Sequence, residues 1–371
     1  MIETVGVNVF ATIFLFGILI FIHEWGHFIM CRLVGVRVEK FSLGFGKKIW
    51  SFSRNHTEYM ISWIPLGGYV KMAGEEPKDN ERPKEWEYYG KSPRQKAWIL
   101  SGGVLMNVVL AIVIYCVMFL AVGKTIYTTQ FDEVLPDYPA HQAGLVAKDK
   151  IIAINGENIT LWDEMVAIVH AHPGEALDVT VERDGNVFHA TIVPQDEVIK
   201  NIFGEDEHVG KLGVASPGII TEELGPVEAV REALYHTGFL IKTMYQVIWK
   251  LVTGQMSPKG LGGPILISKM AGDSARMGMI YFFNLVAALS INLAVLNFLP
   301  IPILDGGHMF FVLIEAIRKR PVSAKIQENA QKVGFAILML LMVLVFYNDI
   351  ERVFIKPAAE NTTEQLEDKE P

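Results

Sequence analysis

The chain has 371 residues, 51% of them apolar, with a formal net charge of −8 and two cysteines. A mean hydropathy of +0.29 is too high for an ordinary soluble enzyme, and it hides long uncharged runs around a polar middle. No basic block is present, which excludes nucleic acid as a partner, and placing Cys31 and Cys116 in apolar runs argues against a disulfide framework or a cysteine-ligated metal.

Four segments are apolar enough to span a bilayer, which takes about 20 residues each: 7–30, 98–122, 281–304 and 333–348. The first region, 1–30, carries His23-Glu24-Trp25-Gly26-His27, an H-E-x-x-H pattern. On a helix this spacing puts both imidazoles on one face, one turn apart. Such a pair suits zinc, and Glu24 beside it can take a proton from an attacking water. Ionisable groups on a membrane-length helix mark function by default; the competing reading is a buried structural His/Glu cluster.

Region 31–97 follows on the cytoplasmic side. Residues 36–72 alternate in the manner of strands, and Gly44-Phe45-Gly46 and Arg54-Asn55-His56 read as turns. This predicts a membrane-associated β-hairpin or small sheet. Its role is either that of a plain loop or that of an edge that pairs with an extended peptide. Residues 74–97, with Pro77, Pro83 and Pro93, read as an irregular connector. In the second span, Gly102 and Gly103 allow close helix approach. Asn107 reads as an interhelical hydrogen bonder or a substrate contact.

Residues 126–196 are of a size to fold alone. Ile151–Ile154 reads as a buried strand, Leu161–His170 as a short helix, and Leu177–Ile192 as a hairpin turning at Asp184-Gly185. The order Ala143-Gly144-Leu145, Asp149-Lys150-Ile151, Asn155-Gly156 resembles an α+β PDZ domain of the circularly permuted bacterial type, with Lys148 where that pattern has glycine. The stretch 197–280 reads as a linker. Within it, an apolar stripe over 226–253, interrupted by Lys242 and Lys250, predicts an amphipathic helix on the outer surface in preference to a fifth crossing. Gly262-Gly263-Pro264 then reads as a breaker.

The third membrane region, 281–310, ends in Asn297-Phe298-Leu299-Pro300-Ile301-Pro302-Ile303-Leu304-Asp305-Gly306-Gly307-His308. Two prolines loosen a helix there. Asp305 falls where the helix opens, at the depth of His23 and His27, as a third zinc ligand. It could instead cap the following helix, and His308 is a rival ligand. Asn297 reads as a substrate contact or a packing residue. A loop at 311–332, a fourth span at 333–348 and an acidic tail at 349–371 complete the chain. Thirteen of the 33 Lys and Arg lie in 31–97 and five in 318–332, so those regions face the cytoplasm. The N-terminus, the PDZ-like domain and the tail then face outward.

The chain resembles the site-2 protease family of intramembrane zinc metalloproteases, of the bacterial regulator-of-sigma-E protease type. The likeness rests on His23-Glu24-x-Gly26-His27, Gly44-Phe45-Gly46, Pro65-Leu66-Gly67-Gly68-Tyr69, the PDZ-like domain, Gly262-Gly263-Pro264 and Asn297-x-x-Pro300-x-Pro302-x-Leu304-Asp305-Gly306. The resemblance implies a polytopic protein of four transmembrane helices with one inserted extracytoplasmic PDZ-like domain, in the bacterial cytoplasmic (inner) membrane. It implies zinc (Zn2+) on His23, His27 and Asp305, Glu24 as general base, and Asn297 near the substrate. The implied partners are the lipid bilayer and single-span substrates such as anti-sigma factors and signal-peptide remnants. Two other readings remain open: a membrane-anchored zinc protease that cuts soluble or loop segments, and a non-catalytic PDZ scaffold.

Overall fold

With no proline from Ile2 to Val34, the first apolar segment coils without interruption as α1 (Ile2–Val34), about 50 Å long at 1.5 Å per residue. Gly35 stops it in the left-handed region (φ 75°), and Val36 N–H closes back on the Cys31 carbonyl at 2.7 Å. The computed structural model describes residues 2–75, 83–200, 206–258 and 261–351. Pro77 of the connector, residues 201–205 and 259–260 of the linker, and the tail after Glu351 lie outside the described residues.

Two units are distinguished: Met1–Cys116, Val230–Gln246 and Lys259–Pro371 form one, and Val117–Ala229 with Val247–Pro258 the other. In the first, β1 (Val38–Arg54) and β2 (Thr57–Met72) pair around Asn55 and His56, whose φ of 49° and 66° give the left-handed two-residue turn of a hairpin. Gly44-Phe45-Gly46 is not a turn, contrary to the sequence expectation. It lies within β1, where φ of 90° and 88° at the two glycines bends the strand. The bend lets Lys40–Leu43 pair twice, with Glu58–Ile61 and with Gly68–Lys71. Residues 68–72 are thereby a sheet edge, with no other strand paired to their outer side among the described residues.

The second span starts earlier than expected, as α2 (Pro93–Val122). Ser92 and Gln95 form a reciprocal cap, and Pro93 suits the first turn. Lys96 therefore belongs to the helix rather than to the connector. Gly26 of α1 meets Gly102 of α2: a Cβ on Gly26 would lie 2.1 Å from the Gly102 carbonyl oxygen. Bare backbone on both sides permits this crossing.

The second unit holds β3 (Lys124–Val134), α3 (Pro139–Gln142), β4 (Lys150–Ile154), β5 (Glu157–Asn158) and α4 (Trp162–Ala171). It continues with β6 (Leu177–Arg183), β7 (Asn186–Ile192), β8 (Gln195–Lys200), β9 (Asp206–Lys211) and β10 (Val214–Glu222). The main sheet runs β10-β3-β4-β6-β7, and β8-β9 is a separate hairpin. Phe131, Ile151, Leu177, Val179 and Val181 form its core with Met165 and Val169 of α4. The unit extends past residue 196, because β10 pairs along β3 from Val214↔Val134 to Glu222↔Lys124. Lys148 adopts the glycine-like conformation (φ 75°), and the buried Asp149 beside it binds Arg183 Nε at 2.7 Å.

The amphipathic segment is α5 (Pro226–Val252), with Ala229, Ala233 and Thr237 buried and Tyr235, Phe239 and Trp249 exposed. After it, an unexpected helix, α6 (Pro264–Met277), follows the Gly-Gly-Pro sequence. Buried Asp349 accepts the N–H groups of Gly263, Ile265 and Leu266 at 2.8–3.0 Å, so the breaker is the start of a capped helix. The third apolar region is divided: α7 (Met279–Asn297) ends seven residues before 304, and α8 (Asp305–Arg318) is a separate helix. Pro300 and Pro302 carry no N–H, and the break closes through Ile301 N–H to Leu299 and Leu304 N–H to Ile301. The last span is α9 (Ala324–Ile350), longer than 333–348. Helices at Gly6–Val34, Pro93–Val122, Met279–Asn297 and Ala324–Ile350 are each long and apolar enough to cross a membrane.

Candidate metal centre

Two helices bring one constellation together. On α1, His23 and His27 stand one turn apart, both buried. The α7–α8 break delivers Asp305 at the first residue of α8. Its Oδ2 lies 3.1 Å from His23 Nε2 and 3.4 Å from His27 Nε2, and the two Nε2 atoms are 3.3 Å apart. Among the described residues, this is the one group of His, Cys, Asp and Glu placed to hold a metal ion. His308 lines the same cavity but stands outside that group, with its Nε2 on the Gln331 amide at 3.4 Å.

The donor set fits a cation. His27 Nδ1–H donates to the Ile99 carbonyl at 2.9 Å, which leaves Nε2 a bare lone pair aimed at the other two donors. Asp305 Oδ2 is buried with no hydrogen-bond partner. Tetrahedral zinc, with ligands at about 2.0–2.1 Å, holds its donors roughly 3.3 Å apart, the separation found here. The backbone also leaves room. A Cβ on Gly103 of α2 would fall 2.5 Å from His27 Nε2 and from His23 Cε1.

Surrounding groups orient this set. Asn107, fully buried on α2, has its amide 3.2 Å from His23 Nδ1, and its Oδ1 is otherwise without a partner. An amide turned by 180° sets Oδ1 against an Nδ1 proton and fixes the tautomer that frees Nε2. Asn297, at the end of α7, places its Nδ2 3.3 Å from His23 Nε2. Both asparagines singled out from sequence therefore reach the same imidazole. Glu24 points toward the sheet edge: Val70 N–H donates to its carboxylate, and a Cβ on Gly68 would meet its Cγ at 3.0 Å.

A cavity of about 820 Å³ opens from this constellation. The strand edge Gly68–Met72 forms part of its wall, and Lys96 and Glu315 also line it. Neither Lys96 nor Gly103 was singled out from sequence as a site residue. The signal was present: Lys96, Leu100, Gly103 and Asn107 follow helical spacing and share one face of α2.

A family model described as peptidase family M50 matches residues 11–341. The chain belongs to peptidase family M50. A protein named zinc metalloprotease RasP from Oceanobacillus iheyensis is 32% identical over 426 residues, covering 94% of this chain and 100% of that one. Another of the same name from Geobacillus kaustophilus is 30% identical over 431 residues, covering 96% and 100%. Among solved structures, the PDZ domain of an SdrC-like protein from Listeria innocua is 18% identical, covering 27% of this chain and 100% of that one, with a TM-score of 0.20. This member of family M50 is a zinc metalloprotease of the site-2 protease kind. With its four apolar helices it is a multi-pass membrane protein.

Proposed function

We propose that this protease cuts peptide bonds within or beside the transmembrane segments of single-span proteins. His23, His27 and Asp305 hold the zinc and Glu24 is the general base. The observation that carries this reading is the meeting of Asp305 Oδ2 with two imidazoles of the membrane-length apolar helix α1, about 280 residues away in sequence. Burying such groups in a bilayer has no structural return that apolar packing would not exceed.

Zinc held by these side chains supplies Lewis-acid polarisation of the scissile carbonyl and of the water. Glu24 takes a proton from that water as its oxygen bonds to the carbonyl carbon. It then gives the proton to the amine nitrogen as the C–N bond breaks. Asn297, one hydrogen-bond length from His23 Nε2, is placed to donate to the substrate. Asn107 holds the His23 ring from behind.

A helical substrate hides its carbonyls in its own hydrogen bonds and must unwind before it is cut. No strand pairs with the outer side of Gly68–Met72 among the described residues, and an extended segment that takes over the Val70 and Met72 N–H groups from Glu24 and Glu75 can lie there. The orientation follows the Lys/Arg distribution. Regions 31–97 and 318–332 face the cytoplasm of a bacterial inner membrane, and the PDZ-like unit faces outward and screens substrates. Anti-sigma factors and signal-peptide remnants are the substrate classes proposed.

The test is bound metal in detergent-purified protein, with product mapping by mass on a single-span substrate. The reading expects about one zinc per chain, lost in Asp305→Ala, and cleavage inside the span. Zinc retained by Asp305→Ala would move the third ligand. Products cut only in soluble loops would replace the intramembrane substrate.

A further inference from the structure

Lys96 is a fully buried lysine, at 1% exposure, and the chemistry above does not use it. Its Nζ bonds both carboxylate oxygens of Glu315, at 2.8 and 3.0 Å, across 219 residues of sequence. The same ammonium lies 5.6 Å from the centre of the Tyr88 ring and 4.9 Å from that of Tyr89. Burial pushes both tyrosine hydroxyls above their ordinary range, so the rings stay neutral. A charge placed this way is held by its partner and by two aromatic faces.

The position of the pair along the two helices gives it consequence. On α2, Lys96 lies seven residues before Gly103, about 10 Å from the floor of the metal constellation. On α8, Glu315 lies ten residues after Asp305, about 15 Å away along a rigid helix. Both members line the cavity that holds His23, His27 and Asp305. The break at 298–304 separates α8 from α7, and Gly306 and Gly307 pack against the carbonyls of Phe298, Leu299 and Ile301, so the break holds the first turn of α8 and leaves its far end to another contact.

The geometry points to Lys96 and Glu315 as positioning residues. Their ion pair is a second anchor that sets the rotation and axial register of α8, and through it delivers Asp305 Oδ2 to the two histidines. This rests on the reading of Asp305 as third ligand. A rod anchored at one end pivots; anchored at both, it holds its first residue within the few tenths of an ångström that ligation needs. His308 adds a tie to α9 through Gln331, but neither residue of that contact belongs to α1 or α2.

The experiment is zinc affinity by chelator competition on the full chain in detergent, read beside the unfolding midpoint of the metal-free protein. Glu315→Gln and Lys96→Met are expected to raise the zinc dissociation constant by about 10–100-fold, the range seen when groups supporting a metal ligand are removed. Lys96→Arg, and the exchange of Lys96→Glu with Glu315→Lys, are expected to restore affinity to within about threefold. If a single variant does not fold, Lys96→Met combined with Glu315→Leu removes the unpaired buried charge, and its zinc affinity is read instead. Wild-type affinity in the folded variants overturns the inference, even where the metal-free midpoint falls, because the pair would then only add stability. Absence of zinc from the wild type, or its retention by Asp305→Ala, would overturn the ligand reading itself and this inference with it.

Discussion

Gly103→Ala is a one-methyl test of the metal centre. The new Cβ would stand 2.5 Å from His23 Cε1, 2.5 Å from His27 Nε2 and 2.7 Å from His23 Nε2. Ordinary contact needs about 3.5 Å, so α2 or the two rings must yield by roughly 1 Å. The rings have little freedom: His27 is tied to the Ile99 carbonyl and His23 to Asn107. Overpacking of this kind costs about 1–3 kcal/mol. A displacement of 1 Å is about twice the tolerance of a ligand set. Zinc affinity is therefore expected to fall by about 10–100-fold or more, roughly 1.4–2.8 kcal/mol, beyond any change in the metal-free unfolding midpoint. The assay is chelator competition on purified protein, with Gly102→Ala for comparison, whose Cβ would meet Gly26 and Met30 instead of the histidines. Wild-type zinc affinity in folded Gly103→Ala would refute the placement of the donors around that glycine.

Three other outcomes follow. Glu24→Gln keeps the three donors, so zinc content is expected to be unchanged while hydrolysis of a membrane substrate drops by about 10²–10⁴-fold; equal losses of both would make Glu24 structural. Asp349→Ala strands the N–H groups of Gly263, Ile265 and Leu266 and is expected to destabilise by about 2–4 kcal/mol, with a smaller loss for Asp349→Asn, read as a lowered unfolding midpoint. Lys148→Gly relieves a left-handed non-glycine residue at the cost of one exposed ion pair to Asp132 and is expected to stabilise by about 0.5–1 kcal/mol; a lower midpoint would show that the φ of 75° carries no strain.

Much of the centre was legible because it is local. His23, Glu24 and His27 announce themselves by helical spacing, and Asp305 by two prolines that must open a helix at membrane depth. The hairpin turn at Asp184-Gly185 and the stripe of α5 are periodic signals of the same kind. Other features have no local signature. Gly44 and Gly46 look like turn residues, and only the double pairing of Lys40–Leu43 makes them a bend inside one strand. Gly-Gly-Pro looks like a breaker until Asp349, more than eighty residues on, caps the helix it begins.

The sequence alone supplied the candidate site residues, the segments apolar enough to span a bilayer, and the family-level reading of a zinc protease. Those depend on residue type and on spacing within one element. Packing between elements had to be seen before α8 stood as a helix apart from α7, Gly103 as the floor under the two histidines, and Lys96 as the partner of Glu315. The physical reason is distance along the chain. A contact between residues 96 and 315 depends on how helices pack, and no periodicity within either helix encodes it.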